Sequence, residues 1–287
     1  MAYDPSGNQL WVARYRGPSD LSAAASAIAV DSTSGNIYVT GSGEQPSSAN
    51  EYATVAYDSR GNQLWASRYG PDVTNDAFGI VVNGSGNIYV TGSISSGRPP
   101  FHTGYATVAY NSDGSQLWEA RYNGPANTQD FARAIAIDPS RGNIYVTGSS
   151  DGGASKDDYA TVAYDSGGHQ LWVSRYNGPA NGQDEALAIA VDSLSGNIYV
   201  TGSSDGGASR GDYATVAYDS SGNQLWVARY NGPGNGDDTA DAIAVDSTRC
   251  SIYVTGGSYG GLVDEDATVA YDSNSSCPTS NRALRPE

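Results

Sequence analysis

Arginine, a phenyl ring and imidazole fall together in one short stretch, GRPPFHTG, as Arg98, Phe101 and His102. That trio offers a cation, an aromatic face and a titratable nitrogen, and it suits a specific contact better than catalysis. The second histidine, His169, stands where sibling turns carry asparagine, and it reads as an exposed turn residue. A nucleophilic triad needs a base within reach of its nucleophile and a third group to orient it. Neither histidine suggests such a set. Zinc would need several nitrogen or sulfur ligands, and two histidines with two cysteines are a poor inventory for it.

The acids are more regular. Asp130, Asp184 and Asp238 occupy one recurring place in NGPANTQDFA, NGPANGQDEA and NGPGNGDDTA, downstream of Arg121, Arg175 and Arg229. Repeated acid near repeated base reads first as an ion pair holding the loop, with a reused polar ligand site as the alternative. Just beyond stand Ser26, Phe78, Arg133, Leu187 and Asp241, one per repeat. Glycoside hydrolysis needs two carboxylates about 5–10 Å apart; Asp241 with Glu185 is the pair this chain could offer. The loop DGGASKDD has oxygen donors but not the ordered spacing of a calcium loop. No cofactor is expected, and calcium is the open alternative. Tyr259, in the corresponding loop GGSYGGLVDED, completes the ligand-site candidates.

These residues hang on a repeat. Q-L-W places all five tryptophans, Trp11, Trp65, Trp118, Trp172 and Trp226, at spacings of 54, 53, 54 and 54. I-Y-V-T-G recurs from Ile37, Ile88, Ile144, Ile198 and Ile252, and A-T-V-A-Y from Ala53, Ala106, Ala160, Ala214 and Ala267. Each period holds four short runs rich in β-branched and aromatic residues, separated by aspartate- and glycine-bearing turns. Both faces of the runs are apolar, so each sheet must be sandwiched between neighbours. Four strands per period predict an all-β fold, a five-bladed β-propeller of four-stranded antiparallel blades. The N-terminal QLWVARY strand lacks its preceding three, and the last repeat lacks its fourth. Joining three C-terminal strands to one N-terminal strand predicts a closed ring over residues 1–273, with 274–287 as a tail.

The motifs D-Y-A-T-V-x-Y-D, Q-W-x-x-x-Y-N-G-P, A-x-A-I-A-V-D and G-N-x-Y-V-T-G-S resemble the bacterial β-propeller repeat called SBBP. The likeness runs from Ala2 to Asp272. It implies a propeller fold in a large secreted or surface protein and brings no shared catalytic residues. By analogy with related propellers, AIAVD is the innermost strand and QLW the outermost. The short turns then share one face and the longer loops the other. That geometry brings Cys250 and Cys277 together, and a disulfide between them is expected to pin the tail in an oxidising compartment.

The net charge of −16 argues against nucleic acid, which needs clustered lysine and arginine. No apolar run reaches the roughly 18 residues of a membrane helix, so no membrane insertion is expected. The chain opens inside the repeat, and we expect a trimmed export signal and an extracellular or cell-surface location. The sequence points to a non-catalytic recognition module, a monomeric ring binding glycan through loops on one face. A scaffold contacting other proteins is the alternative, and a glycoside hydrolase ranks behind both.

Overall fold

The computed structural model describes residues 1–17, 21–45, 49–70, 74–97, 102–154, 156–208 and 210–273. Aspartate starts the turns, as in Asp58, whose Oδ1 accepts the Arg60 and Asn62 amides at 2.9 Å. Gly61 then takes φ of 86° and donates back to the Asp58 carbonyl at 3.0 Å. That φ is costly for any residue with a Cβ. Between such turns the chain runs as antiparallel strands.

A short hairpin comes first, β1 (Ala2–Tyr3) and β2 (Gln9–Trp11). Blade 1 is β3 (Ala23–Val30), β4 (Ile37–Glu44), β5 (Asn50–Tyr57) and β6 (Gln63–Tyr69). Blade 2 is β7 (Thr74–Val82), β8 (Ile88–Ser95), β9 (Thr103–Tyr110) and β10 (Gln116–Tyr122). Blade 3 is β11 (Asp130–Ile137), β12 (Ile144–Asp151), β13 (Asp157–Tyr164) and β14 (Gln170–Tyr176). Blade 4 is β15 (Asp184–Val191), β16 (Ile198–Asp205), β17 (Gly211–Tyr218) and β18 (Gln224–Tyr230). The last sheet has three strands, β19 (Thr239–Asp246), β20 (Ser251–Tyr259) and β21 (Asp264–Asp272). Strands follow chain order across every sheet, and the first strands of successive sheets pack on one another.

Apolar residues fill the spaces between sheets. Tyr145, Tyr159, Ala163, Ile198, Val200 and Tyr218 make one such layer, between blades 3 and 4. Tyrosine hydroxyls staple neighbours together: Tyr52 donates to Ala106 O, Tyr105 to Ala160 O, Tyr159 to Ala214 O and Tyr213 to Ala267 O, at 3.1–3.2 Å. All four tyrosines are fully buried. Within the sheets, threonine pairs such as Thr147 and Thr161, 3.0 Å apart, satisfy each other in the core.

The closed ring expected from the sequence is not formed. Among the described residues the five larger sheets share four apolar interfaces, and a ring of five would have a fifth. β2 pairs with β1, Ala2 opposite Trp11 and Tyr3 opposite Gln9, while β21 pairs with β20. The reason is duplication: Ala2-Tyr3-Asp4 repeats Ala270-Tyr271-Asp272, so β1 occupies the register on β2 that the last sheet would have used. The two end faces stay open, with Ile28 64%, Val30 57% and Tyr253 41% exposed.

Candidate ligand site at the inner strands

Every first strand carries a bulge at the same place. Ala132 faces Gly148 and Ala134 faces Thr147, leaving Arg133 as the extra residue. The corresponding extra residues are Ser26, Phe78, Leu187 and Asp241. A bulge bends its strand and re-aims its side chain, so the bulge residues sit on the inner rim rather than in the inter-sheet layers. The bulge also explains a motif glycine. A Cβ on Gly148 would lie 1.9 Å from the Phe131 carbonyl oxygen, and Gly41, Gly92, Gly202 and Gly256 are equally tight.

At blade 3 the rim carries a defined group. The Arg133 guanidinium lies 5.5 Å from the Phe78 ring centroid and 5.8 Å from that of Phe131, within cation–π range of both. Its Nε donates to Glu185 Oε1 at 2.7 Å. Phe78, Arg133 and Glu185 come from three successive blades. Both charged side chains keep contact with solvent, Arg133 at 35% and Glu185 at 40% exposure. Sequence reasoning had Arg133 among the candidates but missed Phe131. The sequence pairs Glu185 with Asp241; the structure gives Glu185 to Arg133, and Asp241 is exposed.

The repeated acids serve the loops. Asp130 accepts the Gly124 amide at 2.8 Å, Asp184 that of Gly178 at 2.7 Å, and Asp238 that of Gly232 at 2.7 Å. All three aspartates are buried. Burial pushes the Asp130 and Asp184 carboxyls above the usual range, against the pull of hydrogen bonds from Ser150 and Ser204. For two of the repeated arginines the ion pairs are with other acids: Arg175 binds Asp158 and Arg229 binds Asp212, both at 2.9 Å. The same guanidinium groups reach the Tyr122 and Tyr176 hydroxyls in the preceding blades at 3.0 Å. The acids next to the strand starts lie nearer the guanidinium, because Arg175 stands opposite Ala160 in the ladder.

Tyr259 belongs to this loop framework too, donating its amide to Asp238 Oδ1 at 2.9 Å and its hydroxyl to Gly261 O at 2.7 Å. His102 is held locally, its amide donating to Ser96 Oγ at 3.1 Å and its Nδ1 3.2 Å from the same oxygen. Arg98, Phe101 and Cys277 lie outside the described residues. In DGGASKDD, Asp151 accepts Thr128 Oγ1 and the Gly153 amide, and Asp158 holds Arg175. Those carboxylates are engaged in protein contacts. Among the described residues no group of three or more histidine, cysteine or acidic side chains could hold a metal ion, and no helix is long and apolar enough to cross a membrane.

Comparison with known proteins agrees with the fold. Residues 120–153 match the family model of SBBP, the Beta-propeller repeat. No curated protein matches the chain. Among solved structures, a protein of unknown function from Dyadobacter fermentans is 12% identical, with a TM-score of 0.51 over 82% of this chain and 76% of that one. Sqt1 from Chaetomium thermophilum is 10% identical, TM-score 0.47, over 88% and 69% of the two chains. An exo-beta-1,3-galactanase from Clostridium thermocellum is 10% identical, TM-score 0.38, over 82% and 56%. At such identities only fold is compared.

Proposed function

We propose that this chain is a non-catalytic recognition module whose ligand, a glycan, docks at the inner rim around Arg133. The supporting observation is the group of Phe78, Phe131, Arg133 and Glu185 on a bulge where the repeat breaks its own pattern. An arginine braced by aromatic rings and a glutamate is preorganised: little side-chain freedom is left to lose on binding. Its remaining N–H donors and the second Glu185 oxygen suit the paired hydroxyls of a sugar. Hydrolysis fits less well, because Glu185 is charge-paired and retaining or inverting chemistry needs two carboxylates in defined roles.

A glycan array with the chain as analyte, run with calcium and with chelator, tests this reading. Binding that survives chelation and is lost in Arg133→Ala supports it. Binding that requires calcium would move the site to the acidic loops, and no binding would favour a scaffold, the reading the open end faces support. Release of sugar from any bound glycan would make the chain a hydrolase.

The reading carries an extracellular or cell-surface location, with Cys250 and Cys277 joined. The Cys250 carbonyl accepts the Ser273 amide at 2.9 Å, so the chain leaves the last sheet beside Cys250. A mass lower by two hydrogens before reduction than after checks the bond.

A further inference from the structure

Four of the five tryptophans sit between two tyrosines. Trp65 stacks on Tyr38 and Tyr110, Trp118 on Tyr89 and Tyr164, Trp172 on Tyr145 and Tyr218, and Trp226 on Tyr199 and Tyr271, with centroids 5.7–6.3 Å apart. The first tyrosine of each set belongs to the tryptophan's own sheet and the second to the next one. Among the described residues Trp11 has only the second, Tyr57, at 6.5 Å. Tyr253 is the first tyrosine of a fifth set, and it is 41% exposed where Tyr38, Tyr89, Tyr145 and Tyr199 are fully buried. Two halves of one aromatic sandwich therefore stand open at opposite ends of the chain.

The backbone is left in the same condition. Among the described residues β21 pairs on one side only, an edge that invites another strand. Its sibling β17 pairs with β18 as Ala217 to Trp226 and Val216 to Val227, a register that would set Ala270 against Trp11 and Val269 against Val12. Val12–Tyr15, strand in the other four copies, carries no ladder here. Beside it is a groove of about 720 Å³, lined by Trp11, Tyr15, Ile28, Val30, Val39 and Tyr57, where the inner strands of a complete sheet would lie.

We infer that the β21 edge and the Tyr253 face receive the Gln9–Tyr15 strand and the blade 1 face of a second copy of this chain. The occupant is another copy because each end presents the surface its own repeat uses four times internally. Within one chain, the last sheet and blade 1 share no apolar cluster among the described residues. Trp11 Nε1 donates to Ser59 O at 3.1 Å, as Trp65 Nε1 does to Ser112 O, so the strand of a second copy arrives already seated on its own blade 1. Docking needs only the two-residue β1 to give way to β21, with Tyr253 closing on Trp11. Such a contact is head-to-tail, so copies either close a ring or extend as a filament.

Two experiments test this. Sedimentation over a range of concentrations should show association of the full chain, weakened at least about tenfold by Tyr253→Glu, as for an aromatic anchor at an interface. Tyr253 is exposed, so circular dichroism should show that variant folded. Under mild oxidation, a mixture of Val12→Cys and Val269→Cys chains should give a covalent pair of two chain masses that neither variant gives alone. A concentration-independent single-chain mass overturns the inference. So does a cross-link confined within one chain in the doubly substituted Val12→Cys, Val269→Cys protein, which would make the chain's own N-terminal strand the occupant.

Discussion

Trp172 and Tyr218, in adjacent blades, stack with ring centroids 6.3 Å apart, while the indole Nε1 donates to Ser220 O at 3.1 Å. One side chain thus joins two sheets through area and through a directed bond. This contact recurs from blade to blade because the spacing of Q-L-W fixes it.

Removing Trp172 should therefore cost more than removing Trp11, which lacks the tyrosine from its own sheet. Trp172→Ala is expected to destabilise by about 2–3 kcal/mol, below the loss for a fully buried large aromatic because the indole keeps contact with solvent. Trp11→Ala should cost less than half of that. Urea denaturation followed by circular dichroism measures both. Equal losses would mean that Trp11 is already fully packed.

The bulge gives a sharper test. Gly148→Ala puts a methyl 1.9 Å from the Phe131 carbonyl oxygen, whereas a Cβ on Gly257 meets nothing within 4 Å. The first variant must flatten the bulge or move β11, and a loss of roughly 1–3 kcal/mol, as for an overpacked core, is expected. Gly257→Ala should stay within about 0.5 kcal/mol, as surface changes do. Gly148→Ala should also weaken any ligand binding at Arg133, because the bulge aims that side chain.

Blade architecture was legible because it is local: Asp-to-Gly turns and alternating β-branched runs write each hairpin within a single period. Closure was not legible. It depends on which Ala-Tyr-Asp pairs with Gln9–Trp11, and the chain offers two copies that no other Q-L-W strand uses, at Ala2 and at Ala270. The partner of Arg175 failed for the same reason, since Asp130, Asp158 and Asp184 all lie within a repeat of it, and cross-strand register decides among them. Arg133 was legible as a residue that breaks the pattern. Its site was not, because the bulge that turns it toward Phe78 and Glu185 adds a residue without changing the apolar alternation around it.

The inter-blade staples predict a modest, separable loss. Tyr159→Phe keeps the ring and removes the hydroxyl that donates to Ala214 O at 3.1 Å. The change should cost about 1 kcal/mol, the net value of a typical hydrogen bond. Thermal unfolding measures it. A neutral result would mean that the ring alone holds blades 3 and 4 together.

Asp130 joins stability to pH, and blade 2 supplies the natural comparison by carrying Asn75 at the same place. Burial raises the Asp130 carboxyl above its usual range. With the folded-state pKa raised, its contribution is fully present below the unfolded-state pKa and is lost as pH rises through the folded-state value. Asp58 works the other way. Hydrogen bonds from the Asn62 side chain and backbone hold its carboxyl down, so its contribution is present at neutral pH and lost on acidification. Asp130→Asn keeps an acceptor for the Gly124 amide without a buried charge. Relative to the parent, it should therefore gain stability as pH rises from roughly 3 to 7, by the same linkage. Asp130→Ala leaves the Gly124 N–H unmatched and should lose about 1–3 kcal/mol at every pH. Urea midpoints of the three proteins across that range decide the matter: parallel curves for the parent and the Asp130→Asn variant would show that the carboxylate keeps its ordinary pKa, and that its role in the loop is hydrogen bonding alone.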